Sequence, residues 1–391
     1  MRPALVFIGF MGAGKSTALA AARAAGLETT EIDELMEREL GMPIKEAFER
    51  HGEDAFRGRE AEVVGSLLER ADGGAIALGG GSILSERIRA ALDRHLVVWL
   101  QVDAREAWRR IAHSDRPLAT SAEDVERLLA AREPFYEELA DAVVPSGDRE
   151  MILRAMPFLQ ALLDLPAGTK LLWAASASGE YPVLVGRGLL GTGWWPLGGR
   201  GFLIADANTA VRARDWLPES FLDAVALVPE RHRIEGEPTK TMETVAAILE
   251  DMAVEGMTRE DYVVALGGGV VGDVAGFCAH VYQRGVPVVQ VPTTLVAQVD
   301  SAYGGKTGVD LPEGKNYVGA YHQPSGVLVD VGLLSTLPPA ELSAGRAEVI
   351  KTALIAGGRL WERVSARGPG DFDGLGAGGV AQAEVEAGVA R

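Results

Sequence analysis

At 391 residues the chain is too long for one ordinary domain and predicts two or three. With 47% hydrophobic and 24% charged residues it has the composition of a globular protein, which excludes wholesale disorder. Its formal net charge of −17 is spread over both halves with no basic arm, so nucleic acid and anionic membrane are poor partners and an anionic substrate must be held by a few local cations.

The predicted elements alternate from the start. Residues 4–8 read as a buried strand and 16–25 as an alanine-rich helix. Helical patterns follow at 44–51 and 57–70, then a strand at 75–78 that ends in three glycines, and another at 96–100. Helix 104–112, a polar stretch around Arg116, helix 123–140 and strand 142–144 complete a pattern of parallel strands covered on both faces. Helix 152–163 meets a Leu-Pro-Ala-Gly-Thr junction at 165–169, the expected boundary. Beyond it, strands are expected at 171–174, 183–186, 202–206, 262–266, 286–291 and 327–330, with helices at 241–255, 270–279 and 339–355. A glycine-rich stretch, 368–379, and a helix at 380–391 follow. The expected organisation is a phosphate-loop α/β domain over 1–165, a Rossmann-like α/β nucleotide-binding domain over 166–340, and the start of a helical domain over 341–391.

No apolar run reaches the ~18 residues that span a bilayer. The opening residues run into a glycine-lysine loop and not a cleavage site. The single cysteine, Cys278, cannot make an internal disulfide, and a cytoplasmic location is expected. Only seven of the 38 basic residues are lysine. Five of them (Lys15, Lys240, Lys306, Lys315 and Lys351) fall inside the motifs below, where a compact ammonium suits the chemistry.

The run Gly9-Phe10-Met11-Gly12-Ala13-Gly14-Lys15-Ser16, followed by Thr17, fits the phosphate-loop pattern between a strand and a helix. Its glycines turn backbone N–H groups inward on phosphates, Lys15 reaches the β- and γ-phosphates of ATP, and the Ser16 hydroxyl ligates Mg²⁺. Asp33, the glycines at 79–81, Arg57 and Arg132 are the acceptor-side candidates, since two arginines and a carboxylate suit a small molecule bearing a carboxylate and hydroxyls. Taken singly, each arginine is more often a solvated surface residue. Arg116, in a Ser-Asp-Arg-Pro-Leu loop, is a candidate lid cation.

GFMGAGKST, EID, FRGRE, GGG, RPL and the Arg132…Tyr136 pair, over about 150 residues, resemble shikimate kinase. The resemblance implies ATP-dependent, Mg²⁺-assisted phosphorylation of the shikimate 3-hydroxyl. Asp33 would bind the shikimate hydroxyls and orient or deprotonate the nucleophile, while Arg57, Gly80 and Arg132 would hold its ring and carboxylate. Gly12, Ala13, Gly14, Lys15, Ser16 and Thr17 would hold ATP with Arg116, and Arg109 would lie against the adenine. The family's first acidic residue is usually aspartate; here it is Glu31, whose longer side chain is expected to reach the Mg²⁺ water shell. The alternative acceptor is another hydroxy acid.

In the second half Gly267-Gly268-Gly269-Val270-Val271-Gly272 satisfies GxGxxG, but the acid expected about 20 positions on is missing. A dinucleotide's ribose must therefore be held elsewhere, and Asp206 and Glu237 are the available acids. Asp273, Asp300, Lys306, Lys315, Asn316, Glu348 and Lys351 are polar positions in otherwise apolar or glycine-rich sequence; 300–306 with 315–316 reads as a polar loop for a phosphorylated polyhydroxy molecule.

GEPTK, LGGGVVGDVAGF, VPTTLVAQVDSAYGGKTGVD, GKN and AEVIKTALI, from about residue 170 onward, resemble 3-dehydroquinate synthase. The resemblance implies NAD held by segments matching Glu237, Lys240, Gly268, Gly269, Val270, Asp273, Thr293, Thr294 and Thr336, with Asp206 the further candidate acid. It places a phosphorylated seven-carbon sugar acid on Asp300, Lys306, Lys315, Asn316 and Lys351, with Glu348 as a Zn²⁺ ligand. The family's two zinc histidines do not match any histidine here, so a C-terminally truncated synthase that does not complete its reaction is expected. The alternatives are a non-catalytic NAD-binding or interaction module, which includes a homodimer surface, and an active synthase if the chain continues past Arg391.

Overall fold

The computed structural model describes residues 2–112, 121–146, 149–229 and 232–366. The chain divides into two compact units, Met1–Asp164 and Leu165–Arg391. Arg116, with its expected lid stretch, and the segments 368–379 and 380–391 lie outside the described residues.

The first unit is a five-stranded sheet. Its strands are β1 (Leu5–Ile8), β2 (Thr29–Glu31), β3 (Ala75–Ala77), β4 (Leu96–Gln101) and β5 (Ala142–Pro145). They run parallel in the order β2-β3-β1-β4-β5. β1 is buried at every position, as a strand covered on both faces must be. The helices are α1 (Lys15–Ala24), α2 (Ile32–Leu40), α3 (Ile44–Arg70), α4 (Glu86–Leu92), α5 (Ala104–Ile111), α6 (Ala122–Leu139) and α7 (Arg149–Leu162). α5 and α6 are capped by Asp103 and Ser121, whose side chains accept from Glu106 N at 2.8 Å and Asp124 N at 3.1 Å.

One departure from the sequence reading matters. The helices expected at 44–51 and 57–70 join into α3, with Gly52 (φ 80°) as the non-helical kink between them. Asp33 lies in the first turn of α2, directly after the carboxyl end of β2.

The second unit carries β6 (Lys170–Ser176), β7 (Gly179–Gly186), β8 (Gly201–Ala205), β9 (Val225–Leu227), β10 (Tyr262–Gly267), β11 (Val288–Pro292), β12 (Lys306–Leu311), β13 (Gly314–Tyr321) and β14 (Gly326–Asp330). Its helices are α8 (Ala207–Trp216), α9 (Glu219–Leu222), α10 (Met242–Val254), α11 (Gly269–Val281), α12 (Pro339–Ala356) and α13 (Gly358–Ser365). The main sheet runs β6-β7-β14-β11-β10-β8-β9, with only the β6–β7 hairpin antiparallel. Its core gathers Phe202, Ile204, Ile248, Val263, Val274 and Cys278. Burial pushes the Cys278 thiol up to about 12, which leaves it an inert packing group.

Of the polar loop expected over 300–306 with 315–316, Lys306, Lys315 and Asn316 lie instead in an antiparallel hairpin, β12–β13, packed on α11. No helix among the described residues is long and apolar enough to cross a membrane.

Candidate nucleotide and acceptor sites

In the first unit β1 delivers the chain into the phosphate loop, and Gly9 (φ 146°), Gly12 (φ 76°) and Gly14 (φ 87°) all take conformations that favour glycine. Gly14 is the residue before α1, so the loop presents the helix's unsatisfied N–H groups at its mouth. The Lys15 ammonium arches back over the loop, donating to Gly9 O at 2.9 Å and Phe10 O at 3.0 Å. Beside it the Ser16 hydroxyl donates to Glu31 Oε1 at 2.7 Å.

A cavity of about 220 Å³ opens along the loop, lined by Gly12, Gly14, Thr17, Arg110, Pro145 and Ser146. Arg109, expected here, instead turns outward: its side chain is 73% exposed and paired with Glu106 at 2.6 Å. Its neighbour reaches the loop. Arg110 donates to Gly12 O at 2.9 Å, to Ser146 Oγ at 2.6 Å and to Ser146 O at 2.8 Å.

The acceptor candidates gather in a second cavity, of about 100 Å³, whose lining includes Met11, Asp33, Arg57, Glu60, Gly80 and Arg132. These residues come from the phosphate loop, three helices and the glycine turn after β3. Arg57 is oriented by Glu60, Nη1 to Oε2 at 2.6 Å, and the other oxygen of Glu60 accepts from the Ser82 hydroxyl at 2.6 Å. Glu60 is only 3% exposed, so this is a buried, satisfied carboxylate and not a surface charge. A Cβ on Gly81 would overlap the Arg57 guanidinium, so a side chain there would have to displace it.

Arg132 is 4% exposed, with its guanidinium 5.7 Å from the Phe10 ring centre. Burial makes its charged form harder to hold, and Arg57 nearby adds to this. Gly80 O accepts from Arg132 Nη1 at 3.4 Å and from Tyr136 OH at 2.7 Å. Burial pushes the Tyr136 phenol well up, which keeps the proton it donates.

In the second unit a cavity of about 680 Å³ lies over the glycine turn between β10 and α11, and its lining includes Asp206, Glu237, Lys240, Gly268, Gly269 and Asp273. The turn is a cradle that side chains would fill. A Cβ on Gly268 would come within 3.1 Å of Thr294, and one on Gly269 within 3.0 Å of Ser301. Asp206 follows β8, the strand beside β10, and caps α8 by accepting from Asn208 N and Thr209 N at 2.8 Å each. Asp206 lines the cavity from the end of this neighbouring strand, as Glu237 does from another segment.

Lys240, 4% exposed, donates to Asp273 Oδ2 and Asn316 Oδ1, both at 2.6 Å. Burial raises the Asp273 carboxyl, while Lys240 acts the other way. Lys315 pairs with Glu237 at 2.5 Å. Asn316 adopts φ 58°, and its N–H donates to Asp310 at 2.7 Å.

Lys351 stands 3.4 Å from Asp300 and closer still to Glu348, whose hydrogen bond raises the Lys351 pKa. Val270 and Thr294 line the cavity; Thr293 does not, being buried with its N–H on Gly267 O at 2.9 Å. Thr336 also stands apart, exposed and donating to Leu333 O at 2.8 Å. Lys306 is exposed at the start of β12. Among the described residues no three His, Cys, Asp or Glu side chains gather to hold a metal ion, and Glu348 is held by Lys351. The described residues therefore do not fit the implied zinc.

The first unit is a phosphate-loop domain with an arginine-lined acceptor cavity, and the second is a doubly wound dinucleotide-type domain. Residues 11–162 match the family model of shikimate kinase, and residues 232–344 match that described as 3-dehydroquinate synthase N-terminal, so the chain carries a domain of each family. The 3-dehydroquinate synthase of Alkaliphilus metalliredigens is 44% identical over 192 residues, covering 48% of this chain and 52% of that one. The same enzyme of Symbiobacterium thermophilum is 47% identical over 183 residues, covering 45% and 51%. A solved shikimate kinase from Acinetobacter baumannii, in complex with shikimate, is 31% identical and covers 42% of this chain and 94% of that one, with a TM-score of 0.39. The chain spans about half the length of the curated synthases it matches.

Proposed function

We propose that the first unit transfers the γ-phosphoryl group of ATP to the 3-hydroxyl of shikimate. The observation that carries this reading is that Asp33, Arg57, Arg132 and Met11 of the phosphate loop line one small cavity. Arg57 and Arg132 pin the acceptor carboxylate. Asp33 accepts the hydroxyl proton as the new phosphorus–oxygen bond forms and the bond to the ADP oxygen breaks. Lys15 and the loop N–H groups stabilise charge on the phosphates.

Ser16 and Glu31 offer paired hard oxygens of the kind that hold Mg²⁺ together with waters and phosphate oxygens, so these residues fit the ion. Bound there, Mg²⁺ would neutralise charge on the transferring phosphates. The test is steady-state ADP release with and without shikimate; turnover independent of shikimate, or none, counts against the assignment.

The second unit binds NAD in the 680 Å³ cavity, whose glycine cradle and two flanking acids fit a dinucleotide. NAD supplies a hydride acceptor there. Lys315 and Asn316 bond the cavity residues Glu237 and Lys240, Lys351 pairs with Asp300, and these polar groups suit a phosphorylated polyhydroxy acid; no step is derived through zinc. Calorimetry with NAD tests this reading. Small-molecule substrates, a cytoplasmic location and a homodimer through the second unit belong to the same proposal. The acidic surface disfavours nucleic acid and membrane partners.

A further inference from the structure

Ser301 closes the π-helical turn Ala297–Ser301, one of the distortions that recur at functional sites. The turn is closed by Ala302 N, which donates back five residues to Ala297 O at 3.2 Å. The Ser301 hydroxyl oxygen is buried without a hydrogen-bond partner. It lines the 680 Å³ cavity and lies against Gly269, the first residue of α11. A buried hydroxyl left unpaired is costly and is normally satisfied by a ligand or water. The nearest ligand position is the amino end of α11, which favours an anion.

We infer that Ser301 is a cofactor-binding residue whose hydroxyl donates to a phosphate oxygen of the dinucleotide seated on that helix end. The inference rests on the reading that this cavity takes NAD. It separates Ser301 from the turn's glycines, which make room for the ligand, because Ser301 would bond it directly.

The experiment compares the full chain with Ser301→Ala, titrated with NAD and with ADP-ribose, which keeps the pyrophosphate but lacks nicotinamide. Both ligands are expected to bind about 10- to 100-fold more weakly to the variant, as for a lost hydrogen bond to a charged group. The melting temperature of the ligand-free variant should match or exceed that of the parent, since an unpaired buried hydroxyl has been removed. Unchanged affinity for both ligands overturns the inference. So does a loss confined to NAD, which would put the contact at the nicotinamide, or a fall in ligand-free stability that accounts for the loss. Failure of the unsubstituted chain to bind either ligand overturns the NAD reading itself, a distinguishable result.

Discussion

Arg132 is a buried cation held ready for an anion, and Arg132→Met tests that directly. Among the described residues no carboxylate lies within salt-bridge distance of it, and its bond to Gly80 O, at 3.4 Å, is long. Burial and the neighbouring Arg57 both act against its charge. Methionine is long and flexible enough to fill much of the same space, and removing a buried, weakly partnered charge is often neutral or stabilising. The ligand-free variant should therefore melt no lower than the parent.

With an acceptor carboxylate bound, two charge-assisted hydrogen bonds of about 1.5–3 kcal/mol each are lost, partly offset by the desolvation already incurred. A net loss of about 3–4 kcal/mol is a factor of about 10² to 10³ in kcat/KM for shikimate. The assay is coupled ADP release over a shikimate titration, repeated with an analogue whose carboxylate is replaced by hydroxymethyl. Parent and variant should converge on the analogue, because the interaction removed from the protein is already absent from the ligand. An unchanged shikimate KM, or an equal penalty on both acceptors, would refute the assignment of Arg132 to the carboxylate.

Gly81→Ala introduces a Cβ into the Arg57 guanidinium and should raise the shikimate KM at least about tenfold while leaving the ATP KM near its parent value, as initial-rate kinetics would show. Glu31→Asp withdraws the carboxylate from the Ser16 hydroxyl; the Mg²⁺ concentration for half-maximal rate should rise about two- to tenfold, read from a metal titration at saturating ATP. His95 is 6% exposed, accepts from Ala4 N through Nδ1 at 3.1 Å and donates through Nε2 to Leu68 O at 2.9 Å, so it is folded as the neutral ring. Burial lowers its pKa below the ordinary 6.5, so its contribution to stability is complete above 6.5 and is lost as pH falls below that value; thermal melts from pH 8 to pH 5 should show the decline, and His95→Gln should flatten it.

The phosphate loop was legible because its chemistry is local: eight consecutive residues between a strand and a helix specify it. The acceptor residues were legible as candidates by residue type, and resemblance joined them into one site. Asp33, Arg57 and Arg132 are far apart in the chain and meet around the glycine turn after β3, which the sheet places between β2 and β1, an order that no local pattern announces. Glu60 and Arg110 were not singled out. An acid three residues after an arginine on a helix reads as a solvated pair, and nothing in the spacing shows that Glu60 is buried under Ser82. The only signal for Arg110 was adjacency to Arg109, and the side that each faces decided between them. Lys306, Lys315 and Asn316 read as part of a polar loop, and the glycines among them conceal that they lie in the β12–β13 hairpin. In the fold Gly308 and Gly319 face each other so closely that a Cβ on either would strike the opposite backbone, so glycine here permits strand contact and does not signal a turn.

The two nucleotide sites start from the same device, a glycine turn feeding a helix amino end, and diverge in how charge is supplied. In the first unit the turn carries its own lysine and a hydroxyl–carboxylate pair for a divalent cation, suiting a triphosphate whose terminal group must leave. In the second, the turn carries no cation. Lys240 arrives from another segment and is already engaged by Asp273 and Asn316, while the acids facing the cavity suit sugar hydroxyls. Such a site has little to neutralise a transferring phosphoryl group and much to orient a diphosphate ester that stays bound. On the functions proposed above, the same backbone geometry separates into phosphoryl transfer and cofactor retention according to where the cations are placed.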